Sequence, residues 1–267
     1  MQSVTEEPEI NTEVPQAARI WNYLLGGKDN YPVDREMGDQ VRRVLPEIDR
    51  LAVQSRQFLN RAVAHLAGDA GVRQFLDIGT GLPTADNTHE VAQRAAPGSR
   101  VVYVDNDPLV LAHARALLTS SPEGATDYLD ADVRDPDTII ERAAGTLDFG
   151  RPIALMLMGI LEFVPDHDEA NAIVDRLVGA LPSGSYLALY GSTNVVHGER
   201  TDEGVRMWNE APGTNPMTIR TVEQIGRFFR GLDLVEPGLV PIVEWRPVHP
   251  DLLPDPVDGY AAVGRKP

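Results

Sequence analysis

From about Arg73 onward, short apolar runs alternate with amphipathic stretches, the pattern of a parallel sheet covered by helices. The runs are RQFLDIG (73–79), RVVYVD (100–105), TDYLDAD (126–132), PIALMLM (152–158) and SYLALYG (185–191). Their near-continuous apolarity predicts strands buried on both faces. Ala170, Ile173, Val174, Leu177, Val178 and Leu181 recur at helical spacing and predict a helix that ends at the break PSG. Val222, Ile225, Phe228 and Phe229 predict another, ending at Gly231.

Ahead of the sheet, Leu51, Phe58, Leu59, Ala62, Val63 and Leu66 predict a helix packed on it. The late segments LDLVEPGLVPIVEW and DGYAAVGR predict an antiparallel hairpin at the edge. Residues 193–217 are polar, carry one Trp and show no strand period. They read as an insertion over the carboxyl ends of the strands, where open α/β sheets bind ligands. The chain thus divides into an exposed tail (1–15), a helical extension (16–70) and a main domain (71–267).

Composition narrows the function. A formal net charge of −16 over 267 residues disfavours nucleic acid and anionic membrane surfaces as partners. Cysteine is absent, which removes disulfides, thiol nucleophiles and thiolate metal sites. The longest apolar run, Ile153–Leu161, falls well short of the roughly 20 residues that span a bilayer. With no basic or apolar leader at its start, the chain reads as soluble and cytoplasmic.

The strongest local chemistry is FLDIGTGLPT (75–84). An apolar strand ends at Asp77, Gly79 and Gly81 form a tight turn, and Pro83 opens a helix. Asp105 closes the second strand 24 residues after Gly81, placed to accept hydrogen bonds from both ribose hydroxyls. A dinucleotide fold would want a third glycine where Thr84 stands, and Asp77 would repel a pyrophosphate. Asp77 instead suits a ligand with a cation nearby, an ammonium or a sulfonium. At the third strand end, Asp132 is placed to read an adenine amino group, with Val133 against the ring face.

The order Asp-x-Gly-x-Gly, an acidic second strand end and an Asp after strand three resembles class I S-adenosylmethionine-dependent methyltransferases. The longer combination of ARIWNYLLGGKDNYPVDRE, FLDIGTGLPT and VVYVDNDPLVLAHARALL resembles one family of such proteins, with an N-terminal Asn-Tyr-x-x-Gly-Gly-Lys-Asp-Asn signature. The resemblance implies a Rossmann-like α/β fold with a mostly parallel seven-stranded sheet, a C-terminal antiparallel hairpin and S-adenosylmethionine as cofactor. It implies that Gly79, Thr80 and Gly81 meet the methionine part, that Asp105 meets the ribose, and that Asp132 and Val133 meet the adenine, with Asn106 beside the ribose or the adenine. Met158, at the end of strand four, joins that set. The acceptor is expected to be a small molecule, and no catalytic base is identified.

Residues 19–31 are expected to fold back as a lid, with Tyr23 and Tyr31 as aromatic walls and Arg19 or Lys28 for the cofactor carboxylate. The alternative is a helix cap at Gly26-Gly27 followed by an Asx turn at Asp29-Asn30. Asp107 reads as the N-cap of the helix opened by Pro108. His167 reads as a helix-start residue, and Glu162, Tyr190 and Trp208 are evenly balanced between structural and site roles. Asp130, Asp132 and Glu141 have the spacing of a calcium loop but lack its central glycine. Aminopropyl transfer would want an organised acidic run, which is not seen. A binding protein without catalysis remains the alternative to an enzyme.

Overall fold

The computed structural model describes residues 11–117 and 120–267, so the first ten residues of the expected tail lie outside the described residues. Three helices come first: α1 (Ala17–Leu24), α2 (Pro32–Val44) and α3 (Ile48–Gly68). Strands and helices then alternate as β1 (Gln74–Ile78), α4 (Thr88–Ala95), β2 (Arg100–Asp105), α5 (Pro108–Leu117), β3 (Ala125–Asp130), α6 (Pro136–Ala143) and β4 (Ala154–Met158). A 3-10 turn, Ile160–Phe163, follows β4 and leads to α7 (His167–Ala180) and β5 (Tyr186–Ser192). The chain closes with α8 (Glu199–Glu210), α9 (Val222–Arg227), β6 (Asp233–Leu234), β7 (Val240–Pro241) and β8 (Gly259–Arg265).

The sheet runs β3-β2-β1-β4-β5-β8-β6, with β7 also on β8. The first five strands are parallel, and β8 runs antiparallel to β5, β6 and β7. The sheet therefore has eight strands rather than seven. The segment expected to supply one hairpin arm splits into β6 and β7 around Pro237 and Gly238, and both pair with β8. A proline cannot donate to a ladder, and a glycine weakens one.

From β1 the chain first builds outward to β3, then returns to lay β4 on the other side of β1. This reversal opens a crevice at the carboxyl ends of β1 and β4. Strand alternation sends Leu76 and Ile78 to one face, beside Val102, Leu155, Ile139 and Ile173. Phe75 goes to the other, beside Phe58, Leu66, Val101, Met156 and Trp245. The predicted stripe of α3 is buried along its length, at roughly 1.5–3 kcal/mol for each large aliphatic side chain.

A third apolar cluster, Ile20, Leu24, Met37, Val41, Ala52 and Trp208, ties α1, α2 and α3 to α8. Residues of α1, α2 and α3 are therefore packed with α8, as one roof over the crevice. Residues 11–15 are held as well. The buried Arg19 guanidinium donates to the carbonyls of Asn11 (2.9 Å) and Val14, and Pro15 is buried.

Candidate functional site

Under the roof lies a cavity of about 480 Å³, within the range usual for small-molecule sites. The structure brings Asp77, Gly79, Thr80, Gly81, Asp105, Asn106, Asp132, Val133 and Met158 to its wall. At the β1 turn, Gly79 sits at φ +73°, and a Cβ there would come within 2.5 Å of the Ile160 side chain. A side chain would therefore close the approach of the turn to the 3-10 segment. Gly81, at φ +64°, donates its N–H to Asp105 Oδ2 at 2.9 Å, while Asp107 N–H donates to Oδ1 at 3.0 Å. Burial pushes the Asp105 carboxyl up to about 6, against these two backbone donors.

Asp77 is 3% exposed, and the Thr88 hydroxyl on α4 donates to it at 2.6 Å. Burial pushes it up to about 6 as well, opposed by Thr88 and by the charge of Arg56. Asn106 donates to Asp132 at 3.2 Å, linking the ends of β2 and β3, and Arg134 N–H fixes the other Asp132 oxygen at 2.8 Å. Asp107 accepts Leu109 N–H at 2.8 Å and so starts α5 as a cap.

Tyr23 is not brought to the cavity wall. Its hydroxyl donates to Asp39 at 2.8 Å, its ring carries the Arg42 guanidinium at 4.3 Å, and Gly38 of α2 packs against it. One turn of α1 decides this: Trp21, Leu24 and Leu25 face the cavity, and Tyr23 faces α2. Tyr31 packs with Leu82, Leu109 and Val110 beneath Arg19. Arg19 pairs with the buried Asp34 at 2.9 Å, and Lys28 is exposed. Neither lines the cavity. Gly26 caps α1 at φ +78°, while Asn22 Oδ1 accepts Asp29 N–H and the Asn30 amide, each at 3.0 Å.

Arg56, absent from the sequence reading, is the cation that lines the cavity beside Asp77. It sits on α3 next to Ser55, at the margin of the apolar stripe. Only the docking of α3 over β1 turns that margin toward the site. On the α8 side the wall is apolar, with Trp21, Leu51, Phe163, Val205, Trp208 and Ile219. The Trp208 indole N–H donates to the Asn215 carbonyl at 2.9 Å. Glu162, in the 3-10 turn, accepts Ser192 N–H at 2.9 Å, and Ser192 Oγ meets the Tyr190 hydroxyl at 3.0 Å. Burial pushes Glu162 up to about 7, against the pull of Ser192 and Arg220. His167 starts α7 and does not line the cavity. Among the described residues, no group of three or more His, Asp or Glu side chains gathers in a metal-binding arrangement.

A sequence profile described as S-adenosyl methyltransferase matches residues 3–267. The chain belongs to the S-adenosyl methyltransferase family. A solved DUF574 family protein from Streptomyces avermitilis is 46% identical, over 97% of this chain and 100% of its own, with a TM-score of 0.91. A candidate methyltransferase from Thermobifida fusca is 41% identical, over 99% of each chain, with a TM-score of 0.88. An S-adenosylmethionine-dependent methyltransferase from Anabaena variabilis, at 14% identity and TM-score 0.51, shares the fold over 98% of each chain. No curated protein matches the chain.

This S-adenosyl methyltransferase is therefore an enzyme that uses S-adenosylmethionine as methyl donor. The binding-only alternative gains no support from these matches. The residues present fit the donor: a glycine turn that leaves backbone open to a ligand, an acidic strand end with free lone pairs, and buried carboxylates suited to a cationic amino acid. Among the described residues, no helix is long and apolar enough to cross a membrane.

Proposed function

We propose that the enzyme methylates a small-molecule acceptor enclosed between the sheet and the roof. One observation carries this reading: the cavity that holds the glycine turn and the three strand-end acids continues into an apolar chamber under α1 and α8. A duplex or a folded protein surface would have to displace that roof. The net charge of −16 also disfavours a nucleic-acid acceptor.

In this reading the turn Gly79-Thr80-Gly81 meets the methionine part of the donor and Asp105 accepts from the ribose, with Asn106 beside it. Asp132 and Val133 hold the adenine, and Met158 borders the sulfonium end. Arg56 takes the place assigned to Arg19 or Lys28, meeting the donor carboxylate while Asp77 attracts the ammonium. The donor supplies an electrophilic methyl group. The protein's part is to hold the acceptor in line behind it, at about 3–3.5 Å in a dry pocket, where positioning can lower the barrier by several kcal/mol. Residues 16–70 and 193–217 act together as the lid that excludes water. A chain without cysteine is compatible with a cytoplasmic location.

Calorimetry with S-adenosylmethionine and S-adenosylhomocysteine tests the site. Both are expected to bind the wild type, with affinity falling at least tenfold in Asp105→Ala and in Arg56→Ala. Equal affinity in all three proteins would overturn the assignment.

A further inference from the structure

The apolar chamber carries one ionisable side chain whose position asks for a role. Of the charged residues lining the cavity, Asp77, Asp105, Asp107, Asp132 and Arg134 lie at or just past the strand ends assigned to the donor, and Arg56 of α3 stands beside Asp77. On the side of α8, Glu162 is the charged residue among the described lining, set among Phe163, Trp208, Met217 and Ile219.

Two features make this arrangement chemical rather than merely tolerated. Among the described residues, no basic side chain of α1, α8 or residues 215–219 lines the chamber, and Arg134, which donates to the Phe163 carbonyl, is already paired with Asp132 and Glu169, so an anionic acceptor would find no unpaired counter-charge and would meet the Glu162 carboxylate. The second is the mounting of Glu162. It stands in the turn directly after β4, whose last residue, Met158, borders the donor side, and Ser192 N–H of β5 holds Oε1 at 2.9 Å. Tyr190 on β5 and Arg220 ahead of α9 are the other titratable groups that face it. Tyr190 is held well above the usual phenol range by burial and stays protonated, whereas Arg220 is spent on the Leu161 and Val164 carbonyls. A carboxyl group pushed up to about 7 can take up a proton near neutral pH.

Building on the methyl-transfer reading, we propose that Glu162 accepts the proton shed by the acceptor, and that the acceptor is a largely apolar amine or phenol. The acceptor's N or O lone pair forms the new bond to the methyl carbon. The C–S electron pair remains on sulfur as a thioether, and the N–H or O–H proton passes to the Glu162 carboxylate and from there to solvent. A tertiary amine or a preformed carbanion would need no such base, and a phosphate or carboxylate acceptor would be repelled.

The test uses the full chain loaded with S-adenosylhomocysteine, in wild type and in Glu162→Gln, which keeps an oxygen for Ser192 N–H. Trp21 and Trp208 line the cavity, so intrinsic fluorescence reports its occupancy. Phenylbutylamine and propylphenol serve as probes, with phenylbutyrate and propylphenyl phosphate as anionic counterparts. At least one of the first two is expected to saturate the wild type, about tenfold more tightly than its anionic counterpart and than the same probe on Glu162→Gln. Transfer of labelled methyl to that probe is expected to fall below about pH 7 in the wild type. In Glu162→Gln it is expected to drop about a hundredfold and lose that pH limb.

Equal or tighter binding of the anions, no binding of either neutral or cationic probe, or an unchanged rate and pH profile in Glu162→Gln would each overturn the proposal. Calorimetry with S-adenosylhomocysteine alone separates the two readings. If Glu162→Gln binds it like the wild type, the donor site is intact and any loss belongs to the base. If the wild type does not bind it, the failure lies with the donor site.

Discussion

Asp105 is half-buried, and in the proposed role it accepts from a ribose as a carboxylate, while the Gly81 and Asp107 backbone N–H groups only partly offset the desolvation cost. Its folded value near 6 lies above the ordinary 3.8, so the folded protein binds this proton more tightly than the unfolded chain. The group's contribution to stability is thus present below pH 4 and lost as pH rises through 6. Asp105→Asn, freed of that cost, is expected to gain on the wild type by on the order of 2 kcal/mol between pH 4.5 and 7.5. Affinity moves the other way: S-adenosylhomocysteine should bind the wild type more weakly as pH falls through 6, and bind the variant weakly throughout. Denaturant unfolding and calorimetry across that range check both trends. A flat stability difference would mean that Asp105 is not buried as charge.

At the scale of elements, the Asn-Tyr-x-x-Gly-Gly-Lys-Asp-Asn stretch proves to grip itself first. Asn22 is buried, its carbonyl accepts Gly27 N–H at 2.8 Å, and its side chain binds Asp29 and Asn30. This loop orients α1 so that Trp21 and Leu25 face the cavity. A Cβ on Gly27 would sit 2.4 Å from the Asn22 amide. Gly27→Ala is therefore expected to cost roughly 1–3 kcal/mol and to weaken apolar probes in the chamber more than S-adenosylhomocysteine. Titrations of both ligands against the variant check this, and equal losses would point to general unfolding. Truncating residues 1–31 is a poorer test. It would leave the buried Asp34 without Arg19 and expose Met37, Val41 and Trp208.

At the scale of the whole molecule, the cavity joins parts of the chain that are distant in sequence: the first three helices, the strand ends, and α8 with residues 215–219. A ligand in it should stabilise all of them together. S-adenosylhomocysteine at a hundredfold its Kd is expected to add about 2.7 kcal/mol. Thermal melting should then rise by roughly 5–10 °C in a single transition. A shift in only part of the transition would show that roof and sheet unfold separately.

The sequence by itself determined the parallel strands and the acids at their ends. Buried strands must be apolar on both faces, glycine turns must sit where backbone has to bend through positive φ, and both constraints are local. Tertiary structure alone decided which face of α1 looks inward, so that Tyr23 turned to Asp39 and Trp21 to the cavity. It placed Arg56 on the cavity wall beside Asp77 and committed Arg19 to Asp34. A helix side chain's surroundings depend on rotation and docking, which spacing along the chain does not encode. The split of the last edge into β6 and β7 and the mounting of Glu162 on Ser192 likewise arise only when segments far apart in the chain meet.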